Sequence, residues 1–367
     1  LEGTMEFTVD KKTLENAMTN IVSVAPAKAI KPILSSVLIE CSDAVYLYAT
    51  DMETSIRIKL EGASAQSPGK TAVDAKTLFE IAKNAPSAQL NIKQENEATL
   101  DVYSNGGVAN IPMLDPEDFP ALMFDSTAEP IELIPTLSSE IDRVIYAIAA
   151  DPMMRALNGL HFESVGGHLR FVTADGFRLA TIDTAQPIPD IEAFTIPLGG
   201  AKIFLSFLKR YPALVRLYNN ITSFGIESPD TKVIIRKLDL QYPDYRRVIG
   251  AMHKTTVTVD RDALIKTIKF ARVVTAEAKE SVLMSVANKE LVFTARSTGK
   301  GAMNVSVPCA FEGPALKIAY NPDYFLESAQ HVVSDTVVIH LATPADIMRL
   351  EDGNASHYIM PIRSVEV

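Results

Sequence analysis

The stretch RFVTADGFRLA, ending at Ala180, sets a carboxylate after a short apolar run, beside a glycine and ahead of an arginine. Such residues at a chain reversal can form a catalytic corner, with Asp175 as acid, base or nucleophile. A second carboxylate cluster, Asp115, Glu117 and Asp118, lies in DPEDF. Six histidines (His161, His168, His253, His331, His340, His357) and two cysteines (Cys41, Cys309) complete the groups that could do chemistry. Their spacing argues against it. The histidines lack the paired spacing of a helical zinc site, and neither cysteine sits in a CxxC pair or beside a histidine. There is no GxxxxGK[ST] phosphate loop and no GxSxG elbow. His340, closing TVVIH, is expected on a strand facing a neighbour, and DPEDF in a solvated loop. The sequence therefore predicts no catalytic residues, no metal and no cofactor.

Asp175 gains a different meaning when the chain is compared with itself. LYATDMETSIRI, FVTADGFRLATI and VFTARSTGKGAM are one kind of segment, an alternating strand running into a polar corner. Asp51, Asp175 and Arg296 hold matching places in them, at a step of roughly 120 residues. VDKKTLENAMTNI, LSSEIDRVIYAIA and VDRDALIKTIKFA each predict a helix, capped near Asp10, Ser138 and Asp260. A second helix follows in each copy, in DAKTLFEIAKNA, GGAKIFLSFLKRY and NPDYFLESAQHV. Hairpins are expected in SSVLIECSDAVYLYA, GLHFESVGGHLRFVT and SVLMSVANKELVFTA. Each copy closes on Phe119-Pro120, Tyr242-Pro243 or Met360-Pro361. The expectation is an α+β fold written three times, with more sheet than helix. Its boundaries are set at 5–126, 131–249 and 253–367, joined by linkers in FDSTAEPIE and VIGAMHKT; residues 1–4 read as a remnant ahead of a natural start at Met5. With Arg296 in the third copy and no recurring partner, Asp175 is expected to turn the chain, as Asp-Gly pairs do, and to present Phe177, Arg178 and Leu179.

Composition agrees with a packed globular chain: of 367 residues, 47% are apolar and 22% charged. No window approaches the 18 or so apolar residues of a membrane span, and the start has no secretory signal pattern. Two cysteines are too few for a disulfide framework and fit a reducing, cytoplasmic setting. The net charge of −10 argues against a surface that simply adheres to phosphate, but permits a local basic face.

The predicted helices carry such faces. In RDALIKTIKFARVV, Leu264, Ile265, Ile268 and Val273 are expected to form a buried stripe, with Lys266, Lys269 and Arg272 together on another side. The matching helices offer Lys12 with Asn16 and Asn20, and Arg143 opposite Ile141, Val144 and Ile148. Lys76 and Lys83 share a face of one second helix, and Lys202, Lys209 and Arg210 lie on another.

Four further stretches, KPILSSVLIE, LNGLHFE…FVTADGFRLA, YPDYRRVI and YIMPIR, occur in an order in which the chain resembles the bacterial DNA polymerase III beta subunit, or sliding clamp, family, from Met5 to Val367. The resemblance implies the DNA-clamp fold: helices line a hole, antiparallel sheets form the outside, and two chains close head to tail as a six-domain ring around double-stranded DNA. Its implied role is to tether the replicative polymerase to DNA. By the same resemblance Lys28, Lys31 and Arg155 join the inner basic surface. It also implies a hydrophobic pocket for short peptide motifs from the replicative polymerase alpha subunit, the clamp loader delta subunit and repair proteins. The matching positions are Leu157, Gly176, Phe177, Arg178 and Leu179, then Pro243, Arg247 and Val248, then Asn321 and Tyr324, and finally Ile359, Met360, Pro361, Ile362 and Arg363, with the arginines at the rim. Three departures bear on motif preference: Ala174 stands where the family has threonine, Ile347 near a small polar position, and Ser364–Val367 run past the usual ending. Two other functions compete with this one: a repeat-built peptide scaffold without threaded DNA, and a hydrolase using Asp175.

Overall fold

The computed structural model describes residues 5–124, 128–212, 215–250, 253–275, 281–297 and 301–362. The first copy runs β1 (Glu6–Asp10), α1 (Lys11–Val24), β2 (Ser36–Cys41), β3 (Val45–Thr50), β4 (Thr54–Lys59), β5 (Ser64–Ser67), β6 (Gly69–Asp74), α2 (Ala75–Asn84), β7 (Gln89–Gln94), β8 (Thr99–Ser104) and β9 (Gly107–Leu114). The second runs β10 (Ile131–Glu132), α3 (Leu137–Asp142), β11 (Gly159–Val165), β12 (His168–Ala174), β13 (Arg178–Pro187), β14 (Phe194–Pro197), α4 (Leu198–Arg210), β15 (Arg216–Asn219), β16 (Ser223–Glu227), β17 (Thr231–Arg236) and the short α5 (Arg246–Ile249). The third runs β18 (Thr255–Asp260), α6 (Arg261–Thr275), β19 (Val282–Ala287), β20 (Glu290–Ser297), β21 (Gly301–Glu312), β22 (Leu316–Tyr320), α7 (Pro322–Gln330), β23 (Thr336–Leu341), β24 (Met348–Asp352) and β25 (Ala355–Ile359).

Compactness divides these copies differently. Leu1–Leu133 with Lys202–Lys237 form one unit, and Ile134–Ala201 with Leu238–Val367 the other, so the middle copy is shared between them. Among the described residues the first unit holds strands in the order β10-β15-β16-β17-β4-β3-β2-β6-β9-β8-β7-β1-β5, and the second β14-β11-β12-β13-β25-β24-β23-β18-β21-β20-β19-β22, all pairs antiparallel. One copy's sheet continues into the next at two places. In the first unit β17 lies on β4, from Thr231 opposite Ile58 to Ile235 opposite Thr54. In the second, β25 lies on β13, from Arg178 opposite Ile359 to Ile182 opposite Ala355.

Local chemistry explains the helix starts. The Asp10 carboxylate accepts from the Lys12 and Thr13 amides, Asp74 from Thr77, and Asp260 from Ala263 (2.9, 3.1, 2.7 and 2.7 Å), satisfying donors that a helix start leaves open. Period-3.6 residues on these helices then bury against the sheets; Leu14, Met18 and Ile21 of α1 and Leu264, Ile268 and Ala271 of α6 are fully or almost fully covered.

Two expectations are corrected. On α6 the buried stripe passes through Val274, while Val273 is 62% exposed and Ile265 only half-buried: the 100° step carries position 273 out of the stripe. The second copy's first helix starts after Thr136, has no side-chain cap from Ser138, and stops at Asp142. Its next carbonyls are claimed by side chains: Val144 O accepts from the Thr173 hydroxyl (2.6 Å) and Tyr146 O from Arg178 (3.2 Å). The third closure also differs from the other two, since Met360-Pro361 directly follows β25 whereas Phe119-Pro120 and Tyr242-Pro243 lie beyond further turns. No described helix is long and apolar enough to cross a membrane.

Candidate functional site

In the second unit, the corner between β12 and β13 is closed by Asp175. Its Oδ1 accepts from the Phe177 and Arg178 amides (2.9 Å each), and its own amide donates to Arg178 O (3.1 Å). Gly176 takes φ +85°, a conformation that L side chains rarely adopt. Every lone pair the turn needs is used internally, so Asp175 shapes the corner as the repeat predicted.

Arg178 is corrected from rim to interior. Its side chain is 9% exposed and pairs with Asp175 (2.9 Å) and Glu327 (2.6 Å). Its guanidinium also donates to Tyr146 O and lies over the Tyr146 and Tyr324 rings, at 5.0 and 4.9 Å from their centroids. With Nε, Nη1 and Nη2 each donating and two rings stacked against it, the guanidinium has little left for a partner. What the corner does present is Phe177, 51% exposed and stacked on Tyr324 (5.7 Å, 18°). Beneath it the Tyr146 hydroxyl meets Ser328 and His357, at 3.0 and 3.1 Å. Burial pushes the His357 pKa down to about 3, so this layer is neutral.

Beside the corner an apolar cluster is assembled from four segments. Val172, Ala174, Leu179, Tyr242, Tyr245, Ile347 and Tyr358 are buried together, with Leu157 and Ile249 packed partly exposed against them. Leu179 and Tyr358 face each other across the β13–β25 ladder. Parity along β25 corrects Ile359: it is fully buried in the other core, with Leu264 and Phe325, and its neighbour Tyr358 takes the groove position. Met360, 39% exposed, returns to the open side and donates its amide to Phe177 O (2.8 Å). Ile362 is tied to Ala319 (2.8 Å) and Pro361 is half-buried; Arg363 and the residues after it lie outside the described residues. Pro243, Arg247 and Val248 are exposed along the segment that leads from Tyr242 through α5, with Arg247 paired to Asp244 (2.9 Å). Asn321 is spent as the cap of α7, accepting from Asp323 N (2.8 Å).

The segment holding Tyr242 and Tyr245 is pinned from behind by the buried Glu163, which accepts from the Tyr245 hydroxyl and from Arg246 (2.5 Å). Burial first, then the bond to Glu163, push the Tyr245 phenol up to about 12. His161 stacks on Tyr242 (4.2 Å, 15°), and burial pushes its pKa down to about 4. Tyr242, Tyr245, Ile249 and Tyr358 were not among the expected site residues. The signals existed: two of them flank Pro243 in YPDY, and Tyr358 is one alternation away from Met360.

Among the expected phosphate-facing cations, Lys12, Lys28, Lys31, Lys76, Arg155, Lys202, Lys266, Lys269 and Arg272 are exposed, Arg272 with Asp323 as an ion-pair partner. Arg143 is corrected. Its side chain is 13% exposed, paired with the buried Asp352 (2.6 Å) and bonded to Asn354 (2.8 Å), so it is a latch between α3 and the β24–β25 turn. Among the described residues no group of three or more His, Cys, Asp or Glu side chains is placed to hold a metal ion.

Comparison with known proteins follows the same order along the chain. Residues 5–123, 134–244 and 246–363 match the models of the N-terminal, central and C-terminal domains of the DNA polymerase III beta subunit. The beta sliding clamp of Chlamydia muridarum is 25% identical over 98% of this chain and 99% of its own; that of Caulobacter vibrioides is 26% identical over 98% and 100%. The fold matches the crystal structure of the beta subunit from Thermotoga maritima with a TM-score of 0.93, at 24% identity over 98% of this chain and 100% of that one. It matches the Bartonella birtlesii clamp bound to griselimycin equally well (TM-score 0.93, 21% identity, 99% and 100% covered).

Proposed function

Because the chain belongs to the DNA polymerase III beta subunit family it is a sliding clamp, a non-catalytic component of DNA replication, and we propose that two copies close head to tail around double-stranded DNA. The observation that carries this is the junction between repeats. β4 of the first copy takes β17 of the second, and β13 of the second takes β25 of the third. That rule leaves two strands over: β21, which holds the place of β4 and β13, and β9, which holds the place of β17 and β25. Along residues 301–308 β21 has only β20 beside it among the described residues, and along 107–112 β9 has only β8. A second chain satisfies both at once, β21 of each on β9 of the other. Val108 on β9 is half-exposed, and Phe270 and Val273 are 56% and 62% exposed on α6, which packs on β20 and β21; these side chains supply apolar surface for the seam.

DNA then meets exposed cations on helices and loops, chiefly Lys12, Lys28, Lys31, Lys76, Lys202, Lys266 and Lys269. Phosphate contacts of this kind carry no sequence information and weaken with salt, which suits sliding. The groove at Asp175 receives short apolar segments of the replicative polymerase alpha subunit, the clamp loader delta subunit and repair proteins in the cytoplasm, with Phe177, Val248 and Met360 at its mouth.

Negative-stain electron microscopy of the purified chain tests the closure. Rings with an open centre and pseudo-sixfold outline are expected; particles of monomer size would leave a peptide-binding scaffold instead. Charge reversal of Lys266 and Lys269 is expected to reduce retention on closed circular DNA, with a shallower salt dependence.

A further inference from the structure

One side chain of the groove has no account in the fold alone. Tyr242 is 8% exposed and packs with Ala174, Leu179, Ile347 and Tyr358, yet its buried hydroxyl has no hydrogen-bond partner among the described residues. Buried polar groups are nearly always paired, so an orphan calls for a cause. The other tyrosine of YPDY shows the contrast: the Tyr245 hydroxyl donates to Glu163. Ala174, in the same buried cluster, ends in a methyl and offers no side-chain acceptor.

The chemistry of the missing partner can be narrowed. Burial pushes the Tyr242 phenol pKa up, and Tyr245, Asp175 and Glu163 push the same way, so the hydroxyl keeps its proton and donates. Those carboxylates also disfavour an anion beside it. Resting on the peptide-groove function proposed above, we infer that Tyr242 is a specificity-determining residue whose hydroxyl is satisfied by a neutral carbonyl oxygen of the bound segment, from its main chain or from a side-chain amide. The groove thereby selects an apolar segment that carries an acceptor at the depth of Tyr242, and discriminates against one that is apolar throughout, because the latter leaves the phenol unpaired.

A phage-displayed random octapeptide pool, panned on the intact chain, supplies the probe. The enriched peptides are resynthesised and titrated against the parent chain, Val248→Glu and Tyr242→Phe, and the melting temperature of each ligand-free variant is recorded. Val248 is 45% exposed at the groove mouth, so its charge blocks entry without touching the core. The expected result is that Val248→Glu abolishes binding, Tyr242→Phe weakens it roughly 2- to 10-fold, and ligand-free Tyr242→Phe melts no lower than the parent. Binding lost in Val248→Glu but unchanged in Tyr242→Phe overturns the inference and leaves the groove function standing. Peptides indifferent to Val248→Glu overturn the groove function and the inference with it. A clear fall in the melting temperature of Tyr242→Phe overturns the inference by showing that the hydroxyl already has an internal partner.

Discussion

At Asp51, as at Asp175, one carboxylate oxygen accepts two successive backbone amides, those of Glu53 and Thr54 (2.9 and 2.6 Å) in the first unit and of Phe177 and Arg178 (2.9 Å each) in the second. The residue after each aspartate has positive φ, Met52 at 76° and Gly176 at 85°. The incoming strand of the next copy donates to the same place, Arg236 N to Glu53 O (2.7 Å) and Met360 N to Phe177 O (2.8 Å). The backbones agree bond for bond, and the side chains do not. In the first corner the Thr50 hydroxyl bonds Thr54 O and the Ser55 hydroxyl (3.0 and 2.9 Å), so the polar groups close on one another. In the second corner Ala174 and Leu179 stand in those places and join an apolar cluster. The proposed binding site thus lies on one repeat of a turn whose geometry both copies share.

The largest break expected between the two corners is in acid. All six histidines belong to the second unit. His161 and His357 have folded pKa values pushed from 6.5 to about 4 and about 3, so below pH 6.5 the unfolded chain takes up protons first. Their stabilising contribution is complete above that pH and is lost as pH falls toward the folded values, at up to about 1.4 kcal/mol per pH unit for each group. Asp352, held below the usual range by Ser334, Val333 and Arg143 despite its burial, adds loss of the same sign at lower pH. Hydrogen exchange at pH 7 and pH 4.5 is expected to show the second unit loosening while the first keeps its protection. Equal loss in both units would contradict the assignment.

Next in size, Arg178→Ala is expected to cost about 3 kcal/mol, because it strands Asp175 and Tyr146 O around a buried gap. Thr54→Ala, at the same place in the first corner, keeps its backbone bonds and trims only a small buried side chain, so a cost of about 1 kcal/mol is expected. Urea denaturation of the two variants measures the difference, and parity between them would break the comparison. The smallest effects come from the left-handed residue. Gly176→Ala is expected to lose about 1–2 kcal/mol to backbone strain alone, since the added methyl would meet the Met154 terminal methyl at an ordinary 3.4 Å. Met52→Gly relieves the same strain in the first corner but loosens the unfolded chain, so a change within about 1 kcal/mol of zero is expected. A matching loss in both variants would mean that Met52 is held by contacts of its own.

The repeat was legible because its signals are local. Asp10, Asp74 and Asp260 announce their helices, and the period-two runs announce their hairpins. What escaped was set by distant partners. Nothing within LSSEIDRVIYAIA says that Thr173 and Arg178 will take its carbonyls, or that Arg143 will face Asp352, because those bonds span 29 to 209 residues. The groove was legible only in part for the same reason. The resemblance named Phe177, Val248 and Met360, which are exposed, whereas the exchange of Ile359 for Tyr358 depends on the parity of a strand whose register is fixed by β13.

The left-over strands carry a consequence for ancestry. A chain that joins each copy to the next through one strand of each always ends with one strand of either kind unclaimed, whether it holds one copy, two or three. Gene fusion or fission between copies therefore changes how many pieces must meet without changing how any two of them meet. In the proposed dimer the seam between β21 and β9 follows the same rule as the joints within the chain, and it is the one joint of the series made between separate chains.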